Sequence, residues 1–341
     1  MSLENVKHYP VMLNQLLSIL TPQHGGTFLD CTFGGGGYSN AILSYPNTKV
    51  IAIDRDKNVS LLAEKVKKKF PKRFKFINDK FSNLDQIKDL KIKPKGIIFD
   101  LGFSTNQIKD YKRGFSFDSS GPLDMRMGKN ETSAFDVVNN FTEESLALIF
   151  KKLGEEKDSK KIAKAIVFKR KRNQIIYTND LVNIINRVKK NYSHSKTNPA
   201  TKVFQALRMF INKEVTELIA GLISATKLVD KNGKIIVVSF HSIEDRIIKK
   251  YFKTYSNLNP NPSRYVPSEK TNNPKALFFL KSSSALIPDK DEIIKNRASR
   301  SAKMRFALRN ENNFFYPDLL VNDFRDYLSL EGLRLWKNIF F

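Results

Sequence analysis

Only one cysteine occurs in the 341 residues, Cys31. A single thiol excludes an intrachain disulfide and any four-thiolate metal site, and it suits a reducing compartment, so the cytoplasm is the expected location. Histidine is nearly as scarce: His8, His24, His194 and His241 are scattered without ligand spacing, and no metal is expected. No segment approaches the ~20 consecutive apolar residues that a membrane span needs. The opening MSLENVKHYP has no basic stretch followed by an apolar run, so no leader is expected either. Acidic residues are also in short supply, 34 against 59 Lys and Arg, which leaves a formal charge of +25. A soluble chain with that excess is drawn to polyanions, and nucleic acid is the expected partner. A Lys-rich composition supplies part of the excess, so the charge gains meaning only beside a site.

What is present is an alternating pattern. Hydrophobic residues make up 41% of the chain, enough for a full α/β domain and a second, smaller unit. From Thr27 to Asp100 short apolar runs (TFLDC, KVIAID, FKFI, KGIIFD) alternate with helical patterns, which predicts βαβ units and a parallel sheet. Residues 103–130 are then rich in Gly, Ser and Asp, and residues 133–190 read as helices with no strand between them, an inserted helical unit. One long helix is predicted across Ala200–Leu228, from Val203, Leu207, Phe210, Val215 and Leu218 at helical spacing. Strand character returns at Gly233–Phe240, residues 257–268 read as a loop, and residues 276–280 and 303–308 are predicted to close the sheet as an antiparallel hairpin.

The glycine loop Thr32–Ser39 follows Asp30 at the end of the first strand. Glycine there lets the backbone approach a ligand and adopt positive φ. The dinucleotide fingerprint G-x-G-x-x-G is broken, because its third glycine falls on Ser39, and a carboxylate beside pyrophosphate would repel it. Asp30 therefore favours a cationic, phosphate-free ligand, of which S-adenosylmethionine is one. Asp54 ends the second strand, close to the ~20-residue spacing at which an acid accepts ribose hydroxyls. Asp79 and Phe81 follow the third strand, either to hold an adenine edge and face or to serve as a helix cap and a core contact.

Asp100 closes the fourth strand, where open α/β sheets bind ligands. A carboxylate there suits methyl transfer to an amine: accepting amino hydrogens turns the nitrogen lone pair toward the methyl group, more in the transition state than in the ground state. The alternative makes Asp100 a loop cap or a cofactor contact only. Phe103 is a candidate for stacking the base. Methylation of a pyrimidine ring carbon needs a cysteine nucleophile, and Cys31 beside the cofactor loop is the sole thiol, so a nitrogen or hydroxyl acceptor is expected.

HYPVM (8–12), DCTFGGGGYS (30–39), AIDRD (52–56) and DLGFSTNQ (100–107), taken with RGFSF (113–117), GPLDMRM (121–127), NPATKVFQALR (198–208), SFHSIEDR (239–246) and NRASRSAKMR (296–305), resemble one family in order along most of the chain. It is the bacterial 16S rRNA (cytosine-N4) methyltransferase family, RsmH or MraW. The resemblance implies an α/β class I (Rossmann-like) methyltransferase sheet, discontinuous over 1–107 and 196–310. It implies a helical insert at 108–195 as an RNA-recognition subdomain, and it leaves an extension, 311–341, of no assigned role. It implies S-adenosylmethionine as cofactor and methylation of a cytidine N4 in the decoding region of 16S rRNA, with the small ribosomal subunit as partner. The family's cofactor contacts carry over to Gly36, Gly37, Tyr38, Asp54, Phe81, Asp100 and Gln107. Tyr38 stands where a histidine is more usual, and Phe103 and Thr105 replace a commoner Val and Ser. His241 faces two readings, proton removal or a structural hydrogen bond. Arg113 and Arg126 are candidates for RNA phosphates or for salt bridges to Asp118 or Asp124, and Arg297 and Arg300 are further RNA candidates. Lysines on the insert flank the same track. Two rivals remain at this point: a nicotinamide-dependent oxidoreductase, and an RNA-binding protein that keeps the fold without the chemistry.

Overall fold

The computed structural model describes residues 10–87, 92–104, 107–108, 110–118, 120–128, 130, 132–189, 198–257 and 276–332. His8, Thr105, His194, most of the loop expected at 257–268, and Trp336, Ile339 and Phe340 lie outside these residues. The chain divides into two compact units: residues 1–102 with 217–323, and residues 103–216 with 324–341.

The first unit is built on a seven-stranded sheet in the order β3-β2-β1-β4-β5-β7-β6. Its strands are β1 (Gly26–Asp30), β2 (Thr48–Ile53), β3 (Phe74–Ile77), β4 (Gly96–Asp100), β5 (Lys234–Ser239), β6 (Phe278–Phe279) and β7 (Lys303–Arg309). β1 to β5 run parallel, and β7 is antiparallel to both β5 and β6, so the predicted hairpin is present. This α/β sheet has the strand order of class I methyltransferases. Strand residues two apart share a face. Phe28, Val50, Phe74, Ile98, Ile236 and Met304 line one face and form a buried cluster with Leu16 and Leu20 of α1 (Leu13–Leu20), Ile42 of α2 (Gly37–Leu43), and Ala63 and Val66 of α3 (Ser60–Lys69). Phe99, on the opposite face, packs edge-on to Phe81 at 5.3 Å. Between β3 and β4, where a helix is predicted, the described residues form a 3-10 turn over Phe81–Gln86.

The second unit is helical: α4 (Ala134–Asn140), α5 (Glu143–Gly154), α6 (Ser159–Arg170), α7 (Thr178–Val188) and α8 (Thr201–Asn212). Each of the first two begins at a residue suited to its orphan N–H groups. Ser133 forms a reciprocal capping box with Asp136, and Thr142 accepts from Ser145 N; such caps contribute about 1 kcal/mol each. The single helix predicted across Ala200–Leu228 is instead two, α8 and α9 (Glu214–Leu228). Lys213 between them adopts φ 52°, a left-handed C-cap. Apolar spacing continues through the break, so periodicity alone does not reveal it. No described helix is long and apolar enough to cross a membrane.

Candidate functional site

In a sheet ordered 3-2-1-4-5 the chain reverses direction between β1 and β4, and open α/β sheets bind ligands at the carboxyl ends of the strands beside that reversal. Asp30 ends β1 and Asp100 ends β4. They lie two residues beyond Phe28 and Ile98, which puts both on the same face of adjoining strands. Asp30 is 1% exposed; its Oδ2 accepts from Ser39 Oγ at 2.6 Å, and burial raises its pKa against the pull of that bond. Asp100 N donates to Thr32 Oγ1 at 2.7 Å, which ties the strand end to the glycine loop. The residue as a whole is partly exposed, but its Oδ1 is sealed from solvent and has no hydrogen-bond partner. Burial, with repulsion from Asp30 and Glu244 added, pushes the Asp100 carboxyl up to about 8. A buried acceptor without a donor costs about 1–3 kcal/mol, so this corner is built to receive a donor or a cation.

The loop between β1 and α2 is held by Asp54. Its Oδ2 accepts from Gly34 N and its Oδ1 from Asp56 N, both at 2.8 Å. A carboxylate has about four lone-pair positions, so capacity for ribose hydroxyls remains. Burial lifts Asp54 to about 6 despite these bonds. Gly36 has φ 73°, and a Cβ there would come within 2.8 Å of the Phe33 ring; one on Gly37 would collide with Pro10. Both positions therefore need glycine for packing, and Gly36 for its positive φ as well. Tyr38 is buried, and its hydroxyl donates to Val11 O, so its side chain anchors the segment before α1.

Asp79 and Phe81 both have local partners. Asp79 Oδ1 accepts from Lys80 N at 2.7 Å and Asn83 Nδ2 at 2.9 Å. Phe81 fills the space above Gly221, where a Cβ would lie 2.5 Å from its ring. His241 caps α10 (Ser242–Thr254), with Nε2 3.1 Å from Glu244 Oε1. Glu244 is 4% exposed and returns the cap by accepting from Phe240 N at 2.9 Å. Glu244 was not singled out in the sequence, although the H-S-I-E spacing is that of a capping box. Arg297 and Arg300 stand exposed on a 3-10 turn, whereas Arg305 and Lys303 from the same motif are both bound to Asp245.

Within the second unit, Gln107 Oε1 accepts from Ser104 N at 2.9 Å, closing the turn after Phe103. Phe103 stacks on Phe115 at 6.0 Å and carries the Arg208 guanidinium 4.6 Å from its ring centre. Arg208 is in turn held by both oxygens of Glu214, at 2.8 and 2.9 Å. Arg126 forms a two-pronged bond with Asp124 at 2.7 and 2.8 Å, the salt bridge weighed against a phosphate contact. Arg113 donates to Arg126 O at 2.8 Å and lies over Phe115.

Against known proteins, the profile of the MraW methylase family matches residues 5–310. The chain belongs to the MraW methylase family. It is therefore a methyltransferase, and the oxidoreductase reading falls. It is similar to proteins named "Ribosomal RNA small subunit methyltransferase H". The relative from Ehrlichia canis is 42% identical over 306 residues, covering 89% of this chain and 99% of the relative. One from Ehrlichia chaffeensis is 43% identical over 307 residues, covering 89% and 99%. One from Rickettsia massiliae is 42% identical over 301 residues, covering 88% and 97%.

Proposed function

We propose that this chain transfers a methyl group from S-adenosylmethionine to the exocyclic N4 amine of a cytidine in the decoding region of small-subunit rRNA. The observation that carries the reading is the sealed, unpartnered Oδ1 of Asp100 at the switch point of the sheet. The names of its relatives support the RNA class, as does the formal charge of +25.

The residues present fit such a cofactor. Asp30 repels both Asp54 and Asp100, and a cation relieves that repulsion. Gly36, Gly37, Tyr38, Asp54 and Phe81 would contribute to holding it, Asp54 through the hydroxyls of its ribose. Bound there, the cofactor supplies an electrophilic methyl on a positively charged sulfur.

Asp100 works on the other reactant. Ionised, its Oδ1 accepts a hydrogen from the attacking amine and holds the nitrogen lone pair in line with the methyl, and orientation of this kind supplies much of the rate. Hydrogen bonds to that amine oppose its conjugation with the ring and strengthen as the nitrogen turns pyramidal. Protonation of Asp100 removes its charge and weakens it as an acceptor, so activity is expected to fall as the carboxyl protonates. His241 caps its own helix, and its buried Nε2 lies 3.1 Å from Glu244 Oε1 without a hydrogen bond.

The test is incubation of the chain with methyl-labelled S-adenosylmethionine and small ribosomal subunits that lack their native methylation, with naked rRNA in parallel. Label retained in RNA supports the reading. Tight cofactor binding with no label on either substrate would favour a non-catalytic RNA-binding protein.

A further inference from the structure

The family profile ends at residue 310, and the chain continues to residue 341. Part of this tail belongs to the helical unit, as α11 (Arg325–Leu330) and Glu331. It is fastened firmly. Phe324 and Leu328 are buried, and Lys152 Nζ binds Asp326 at 2.9 Å. Glu331, 3% exposed, accepts from Val215 N at 3.2 Å and Thr216 N at 2.8 Å, and so caps the start of α9.

Where the tail meets α5 and α6 there is a cavity of about 640 Å³, walled by Lys151, Lys157, Lys160, Lys161 and Tyr327 among others. Its acids are largely spent: Glu156 is bound to Lys189 at 2.6 Å, and Asp158 lies 3.3 Å from Lys161. Lys151, Lys157 and Lys160 are exposed, with no carboxylate partner among the described residues. From the cavity a line continues along α6, because Lys160, Lys164 and Phe168 are spaced four apart and share a face. All three are exposed, Phe168 to 63%, with the Arg172 guanidinium 5.3 Å from its ring centre. Cations along a groove with an exposed ring are what a nucleic-acid strand requires, ion pairs for its phosphates and a platform for a base.

We propose that the cavity and the α6 line form an RNA track, in which Lys151, Lys157 and Lys160 take the phosphodiester backbone, Phe168 stacks a base, and the tail supplies one wall. The proposal rests on the reading of the chain as acting on RNA and adds where that RNA is gripped. Because residues 324–331 are already held by Glu331 and the buried Phe324 and Leu328, this wall adds little ordering cost to binding.

The experiment measures binding of a transcribed small-subunit rRNA across a salt series, for the intact chain and two variants. The triple variant Lys151→Ala/Lys157→Ala/Lys160→Ala is expected to lower affinity about 10- to 100-fold at low salt. It should also reduce the slope of log K against log salt by about 2–3, since each lost phosphate contact removes ~0.7–0.9. Phe168→Ala is expected to lower affinity about tenfold and leave the slope unchanged, because stacking releases no counterions. Thermal melting and S-adenosylmethionine affinity serve as folding controls for both variants. Truncation is avoided, because loss of Glu331 would uncap α9. A triple variant with unaltered affinity and slope overturns the track, whatever methyl transfer shows. If the triple variant loses RNA affinity while the intact chain transfers no methyl, the track stands and the proposed function falls.

Discussion

Replacing Asp100 by Asn tests whether the sealed carboxylate governs cofactor binding, and the size of the effect follows from its pKa. Burial and the neighbouring carboxylates push the Asp100 carboxyl up to about 8, against an ordinary 3.8. The folded chain therefore holds a proton that the unfolded chain has lost between these values. Stability from this group is fully present below 3.8 and is lost as pH rises through about 8. A cationic ligand binds the ionised form. The ionised fraction rises from about 1% at pH 6 to about 50% at pH 8, so affinity for S-adenosylmethionine should rise about 50-fold over that interval. Binding at pH 7 should release about 0.9 proton. Asp54, at about 6, adds a factor of about two over the same interval. Titration calorimetry in buffers of differing ionisation heat reads both quantities. Asp100→Asn should leave only the twofold slope due to Asp54, release little proton at pH 7, and abolish methyl transfer. A wild-type affinity that is flat within threefold from pH 6 to pH 8, or a variant that keeps the 50-fold slope, would refute the reasoning.

Asp54→Ala leaves Gly34 N and Asp56 N without their acceptor; cofactor affinity measured by calorimetry should fall about 10- to 100-fold, since bonds to a charged group contribute ~1.5–3 kcal/mol. Gly37→Ala drives a methyl group into Pro10, and melting should show a loss of about 1–3 kcal/mol, with no loss meaning that the segment before α1 yields freely. Glu331, buried at the start of α9, titrates at about 8 against an ordinary 4.5, so its contribution is fully present below 4.5 and is lost as pH rises through about 8. Denaturant titrations at pH 5 and pH 8.5 should differ less for Glu331→Gln than for the parent, and equal differences would remove Glu331 from the pH dependence. Arg297→Glu with Arg300→Glu should weaken rRNA binding and spare cofactor affinity; a loss confined to the cofactor would contradict the placement of these residues on an RNA surface.

The sheet was readable because buried parallel strands appear as short apolar runs bounded by turn residues, and all seven strands lie where such runs occur. Asp30, Asp54 and Asp100 were readable as strand-end carboxylates, since strand ends at the reversal of an α/β sheet are where ligands bind. That Asp100 Oδ1 is shut away from every donor was not, because sealing depends on packing from distant elements. The α8–α9 break was hidden by Lys213, a residue with no special freedom at positive φ, inside unbroken apolar spacing. Glu244 was hidden inside a helix cap, a local role that gives no hint of its nearness to Asp100. The Glu331 cap on α9 spans 115 residues to Thr216, and no local pattern connects the two. Arg126 shows the opposite case: Asp124 two residues earlier announced the salt bridge that forms.

The central claim concerns the atom that is methylated. Small subunits labelled by the chain should be digested to nucleosides and separated by mass spectrometry. N4-methylcytidine carrying the label is the result predicted from a carboxylate that orients an exocyclic amine. Label in a ring-carbon-methylated pyrimidine, or in a ribose hydroxyl, would contradict it.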